Sequence, residues 1–174
     1  MFILYAIVAG LAVGFLLRGR LDGLAATHFR LGWLAVLALA VQLLLFSPLA
    51  ADRLGDAARW IYVASTGLVV IVVLANLHLS GLPIVLVGAL SNLLAIVANG
   101  GSMPASPAAL AATGQTIGDG PTNSVVIARP ALEPLTDIYA MPAWLPLANI
   151  FSVGDVVIAI GIAWAVAAAM RRRA

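Results

Sequence analysis

The chain has 174 residues, of which 63% are hydrophobic and only 9% charged, and its formal net charge is +2. Soluble domains carry roughly 25% charged residues, and a mean hydropathy of +1.11 is more apolar surface than a soluble globule can hide. These totals exclude a cytosolic enzyme, a nucleic-acid-binding domain and a disordered tail, and they point to an integral membrane protein. Cysteine is absent, which removes disulfides, thiol catalysis and Cys-based metal sites. Every basic residue is arginine, and no stripe of them exists to follow a phosphate backbone. The lipid bilayer is thus the expected partner, and nucleic acid is not.

Five apolar runs approach or reach the roughly 20 residues that cross a bilayer. They are 2–17, 31–49, 60–79, 82–98 and 151–170. The expected fold is all-α: one membrane domain, 1–174, with five transmembrane helices and a long Pro-rich outer loop, 99–150, forming a partly helical cap. The first run lacks a positive stretch before it, and Arg18 and Arg20 follow it instead. It therefore reads as a retained helix rather than a cleaved signal. Within it, Gly10 and Gly14 form a GxxxG motif that permits close helix contact, inside the subunit or in a homo-oligomer.

Orientation is read from arginine placement. Arg18, Arg20 and Arg30 follow the first run, and Arg171, Arg172 and Arg173 follow the last. With five spans these segments share a side. That places the N-terminus outside and the C-terminus in the cytoplasm of a bacterial inner membrane.

The second run ends at Ser47-Pro48. The segment 50–59 then carries Asp52, Arg53, Asp56 and Arg59 at helical spacing, the pattern of a solvated surface turn. Runs three and four are joined by a few residues around Ser80-Gly81, an antiparallel hairpin.

Seven of the nine prolines fall in 99–150. Ser106 and Pro107 have the signature of a helix N-cap and first helical position. Residues 113–124, with Asp119 and Asn123, form a polar turn-rich tip. Tyr139 and Trp144 are side chains favoured at the headgroup level.

Few residues are candidates for chemistry. Ser152-Val153-Gly154-Asp155 matches a capping box ahead of an apolar run, so Asp155 is either a helix cap or a ligand-facing acid, and the two roles are compatible. Gln42 and Asn92 fall near the middle of their helices, where an amide must face the bundle. Each is read as an interhelical hydrogen bond or as part of a polar binding site. Asn99 lies seven residues beyond Asn92 on the same helix face and points toward the loop. The expected ligand-binding set is Gln42, Asn92, Asn99, Ser102, Ser152 and Asp155, with Arg129 as counter-charge. No catalytic set, cofactor or metal site is expected: His28 and His78 fall on the inner side, away from most of the acids.

Four stretches carry a resemblance: GRL at 19–21, NGGSMPAS at 99–106, LTDIYAMP at 135–142 and FSVGD at 151–155. With these motifs the chain resembles a family of small bacterial multi-pass membrane proteins known only as a domain of unknown function. The resemblance implies a cytoplasmic-membrane protein with this helix order, and it implies no activity. Two function classes follow. One is a non-catalytic binding or accessory subunit that holds a lipid, a small ligand or a partner protein at the outer cap. The other is the membrane component of a small-solute transporter, which requires Gln42, Asn92, Asn99 and Asp155 to line one polar route.

Overall fold

The computed structural model describes residues 2–45, 47, 54–115 and 124–172. Among these, the chain is mostly helical, with seven α-helices. They are α1 (Phe2–Leu16), α2 (Leu21–Ala25), α3 (Gly32–Leu45), α4 (Ala57–Ala75), α5 (Leu82–Ala98), α6 (Pro107–Thr113) and α7 (Val153–Met170). The expectations for Asp52, Arg53 and the tip at Asp119 and Asn123 lie outside the described residues.

α7 is the centre of the arrangement. α1 packs along one side of it and α5 along another, while α4 packs on α5 and α3 packs on α4. Small residues make this possible, because they let helix backbones approach closely. A Cβ on Gly10 would lie 2.8 Å from the carbonyl oxygen of Ala163 in α7, and one on Gly161 would lie 2.8 Å from that of Gly81. The GxxxG pair of α1 is thus taken up inside the subunit: Gly10 faces Ala163 and Val166, and Gly14 faces Met170. α1 and α7 run parallel, since Phe2 stacks on Phe151 at 4.7 Å just ahead of α7. α5 runs antiparallel to α7, with Gly81 beside Gly161 and Gly88 beside Gly154.

The third apolar run is displaced from its expected position. α4 begins at Ala57 rather than residue 60 and stops at Ala75 rather than 79. Asp56 and Arg59 form the expected exposed pair, at 3.4 Å, in its first turn. At the other end hydropathy continues through Leu77 and Leu79, but Asn76 ends the helix. Leu79 then folds back onto Val73, Leu82 and Val85.

Asn76 is fully buried. Its side-chain amide donates to the carbonyls of Arg30 and Val72, both at 2.8 Å, and its oxygen accepts from the Arg30 amide at 2.8 Å. Asn99, which ends α5, repeats the device. It donates to Ala95 and Ala131 carbonyls and accepts from the Ala131 amide, each at 2.8 Å. Each asparagine therefore pairs with one distant residue as a neighbouring strand would. The residue after each partner is a leucine in the left-handed region, Leu31 at φ 56° and Leu132 at φ 53°. That conformation costs a non-glycine residue about 1–3 kcal/mol, and the paired asparagine holds it.

The segment after α5 is more than loop and helix. β1 (Met103–Pro104) pairs in parallel with β2 (Ser124–Val125), and Ala105 bridges to Asp137. β3 (Tyr139–Ala140) pairs antiparallel with β4 (Ile150–Phe151). α6 starts at Pro107 behind Ser106, as expected, and ends on Gly114 at φ 70°. Ser106 makes no side-chain capping bond; its backbone is extended, and its carbonyl accepts the first helical bond, from the Leu110 amide. The segment has a small core of its own, in which Ala105, Ala109, Leu110 and Ile150 are buried together.

Outward faces of the helices are apolar. Val36 is 68% exposed, Leu44 67% and Leu16 82%. α4 and α7 are long and apolar enough to cross a membrane, and only 22% and 28% of their most apolar stretches lie buried. α1, α3 and α5 are shorter apolar helices.

Candidate functional site

The start of α7 meets α5 beneath the Pro-rich segment. Ser152 has extended backbone, φ −104° and ψ 169°, and is fully buried. Its hydroxyl accepts from the Asp155 amide at 3.1 Å, and the Asp155 carboxylate accepts from the Ser152 amide at 3.0 Å. This is the capping box expected from the sequence, and it satisfies two of the amides a helix start leaves open.

Asn92 closes the arrangement. Its amide donates to the other oxygen of Asp155 at 2.8 Å, and its oxygen accepts from the Ser152 hydroxyl at 2.9 Å. The sequence spacing puts Asn92 near the middle of its helix, yet it comes level with the first turn of α7. Glycines bring it there. A Cβ on Gly154 would lie 2.7 Å from Asn92 Cγ and 2.9 Å from the Gly88 carbonyl oxygen. Any other residue at 154 would push α5 away and open the triad.

A second carboxylate lies close by. Asp137 follows the 3-10 turn Glu133–Leu135, in which the buried Thr136 hydroxyl donates to the Glu133 carbonyl at 2.7 Å. The backbone of Asp137 is locked from both sides: its amide donates to Pro104 and its carbonyl accepts from Ser106, each at 3.0 Å. The side chain is only 9% exposed. Burial, and then the charge of Asp155, push its carboxyl up to about 7. Tyr62 of α4 stands within electrostatic reach of both acids and packs on Ala95, Ile96 and Met103. The chemistry available is that of two carboxylates across a seam, one heavily hydrogen-bonded and one holding its proton to near neutral pH. No group of three or more His, Asp or Glu side chains among the described residues is placed to hold a metal ion.

The expected site residues divide. Asn92, Ser152 and Asp155 come together. Asn99 stands apart from them and clamps Ala131. Ser102 is buried beside β1. Arg129 is exposed and makes no ion pair among the described residues, so the triad has no arginine counter-charge from it. Gln42 is on the far side of the bundle, where it donates to Ser65 of α4 at 3.1 Å.

Sequence reasoning passed over Asp137 and Asn76. Asp137 lies in the LTDIYAMP stretch, whose composition was the available signal. Asn76 lies inside the apolar run 60–79, where nothing in the local hydropathy marks a helix end. Tyr139 and Trp144 are exposed, Trp144 at 80%. Tyr139 also stacks on Phe151 at 5.6 Å, and Tyr5 of α1 donates to the Pro146 carbonyl. The segment is thus tied to α1 as well as to α5.

No curated protein and no solved structure matches the chain. The GRL stretch at 19–21 precedes the region in which a family is recognised. Over residues 26–167, most of its length, the chain matches and belongs to the family described as Family of unknown function (DUF5317).

Proposed function

We propose that the chain is an integral protein of the bacterial inner membrane with five spans, its N-terminus outside and its C-terminus in the cytoplasm. Its role is that of a non-catalytic binding or accessory subunit that presents the segment 99–150 as an outer cap to a lipid, a small ligand or a partner protein. The length and apolar character of α4 and α7, and the apolar outward faces of the shorter α1, α3 and α5, support the membrane part of this reading.

One observation carries the functional part. The polar side chains on the helices pair off locally: Gln42 with Ser65, Asn92 with Ser152 and Asp155, and Asn99 with Ala131. A transporter needs such groups to line a continuous route. Here they fasten helices to one another and to the cap, as in a platform held in one conformation. The cap in turn exposes Trp144 and Leu147, at 80% and 55%, a pair suited to a headgroup layer or a partner surface.

Native mass spectrometry of the chain, extracted gently from its own membrane, tests this. The expected result is a stoichiometric added mass, from ligand or partner chain, that Trp144→Ala diminishes. A bare monomer that moves a solute across vesicle membranes overturns the reading in favour of a transporter component. Reporters fused near Asp119 and at the C-terminus test orientation, and a cytoplasmic signal from the former reverses it.

A further inference from the structure

The end of the bundle away from the cap holds two adjoining cavities. Each is about 260 Å³. They share Thr27, Leu79 and Arg172. The first is polar and lined in part by His28, His78 and Arg172. The second is an apolar groove whose walls include Leu24, Phe29, Leu82, Ala165 and Val166. Three separate parts of the chain build the pair: the stretch after α2, the α4–α5 turn and the end of α7.

The polar cavity is one-sided in charge. Among the described residues that line it, the ionisable ones are two histidines and an arginine, with no carboxylate. The nearest acid in sequence, Asp22, is exposed and already paired with Arg20 at 2.9 Å. His28 uses Nδ1 on the Ala26 carbonyl at 3.0 Å, which leaves Nε2 for another group. Thr27 spends its hydroxyl on the Gly23 carbonyl at 2.9 Å. The donors left for a phosphate are therefore the His78 imidazole and the Arg172 guanidinium, while Nε2 of His28, with Nδ1–H already donated, is an acceptor in the neutral ring. Directly against them runs a groove without charge apart from the shared Arg172.

We infer that these cavities form one site for an anionic phospholipid, with the phosphodiester at His78 and Arg172, beside His28, and an acyl chain along the groove by Phe29, Leu82 and Val166. A basic recess continuous with an apolar groove between helices is what such a lipid requires. The inference rests on the membrane reading above but concerns the opposite end of the molecule from the cap. A bound lipid would link the end of α7 to the two stretches that the Asn76 side chain already clamps at Arg30.

The test uses the full chain in detergent, titrated with phosphatidylglycerol or phosphatidylcholine and read by native mass spectrometry. The expected result is retention of one phosphatidylglycerol in preference to phosphatidylcholine. Arg172→Gln and His78→Gln each lower that preference, by about fivefold for the arginine, at unchanged thermal stability. Arg171→Gln, an exposed neighbour outside both cavities, leaves it within twofold or so. Equal retention of the two lipids, or equal loss in Arg171→Gln and Arg172→Gln, overturns the site. Displacement by millimolar inorganic phosphate also overturns it, because the groove then contributes nothing. Alkaline extraction of native membranes separates the two readings. A chain that stays in the membrane but shows no lipid preference refutes the site alone, and a chain released into solution refutes the membrane reading.

Discussion

Replacing Asp137 by asparagine removes a buried carboxyl whose proton is held far above its ordinary range. The displacement from 3.8 to about 7 is roughly three units, or ~4 kcal/mol when fully expressed. The folded chain keeps this proton at pH values where the unfolded chain has released it. The folded state therefore binds more protons in the window between those two values. Its stability is complete below the lower one and is lost as pH rises through the upper one. Between about pH 5 and about pH 8 the wild-type chain is expected to lose roughly 2–3 kcal/mol from this group. For a domain of this size that is a fall of roughly 5–10 °C in Tm. Asp137→Asn keeps the shape and cannot ionise. Its Tm should match the wild type only below about pH 4 and exceed it by a margin that grows toward about pH 8. Thermal unfolding of both proteins in detergent, in matched buffers, reads the difference. The two proteins differ at this one position, so only the divergence of the curves counts. Parallel curves, or a wild type that gains stability toward alkaline pH relative to the variant, refute the buried-proton argument.

Other perturbations follow from the same contacts. Gly154→Ala places a methyl group 2.7 Å from Asn92 Cγ and should cost about 1–3 kcal/mol of stability; unchanged thermal unfolding would show that α5 and α7 have room. Ser152→Ala removes the helix cap and the donor to Asn92, and a loss of about 1–2 kcal/mol is expected in the same assay. Asn99→Ala should raise amide exchange around residues 131–133 while leaving the Arg30–Leu31 stretch protected, and Asn76→Ala should do the reverse; loosening of both stretches by either change would refute independent clamps. In the Asn99→Ala background, Leu132→Gly should recover about 1 kcal/mol, because glycine accepts the left-handed backbone without a clamp.

The parts of the structure that were legible in the sequence are those decided by near neighbours. The capping box could be read because Ser152 and Asp155 are three apart, and the start of α6 because Ser106-Pro107 opens a helix. The apolar runs marked the long helices, since hydropathy and length are local properties. Asn92 could be assigned to the bundle interior but not to Ser152, which is 60 residues away. That pairing depends on glycines in two helices facing each other. Asp137 was hidden for a related reason: nothing local buries it, and its environment is assembled from β1, the 3-10 turn and the start of α7. Two-residue strands have no periodicity to detect, so the cap read as loop and short helix. The end of α4 was missed because hydropathy rises again at Leu77 and Leu79, while a single buried amide decides where the helix stops.

The central place of α7 has a consequence for biosynthesis. α1 leaves the ribosome first and finds its main packing surface, with Gly10 against Ala163 and Gly14 against Met170, only when the last helix has been made. α5 waits for the same helix, with Gly81 and Gly88 facing it. α3, α4 and α5 can associate with one another earlier, since α3 packs on α4 and α4 on α5. Assembly is therefore a two-stage event in which a preformed three-helix unit and a solitary first helix are joined by the arrival of the last. A chain stopped before Val153 would leave α1 without that surface.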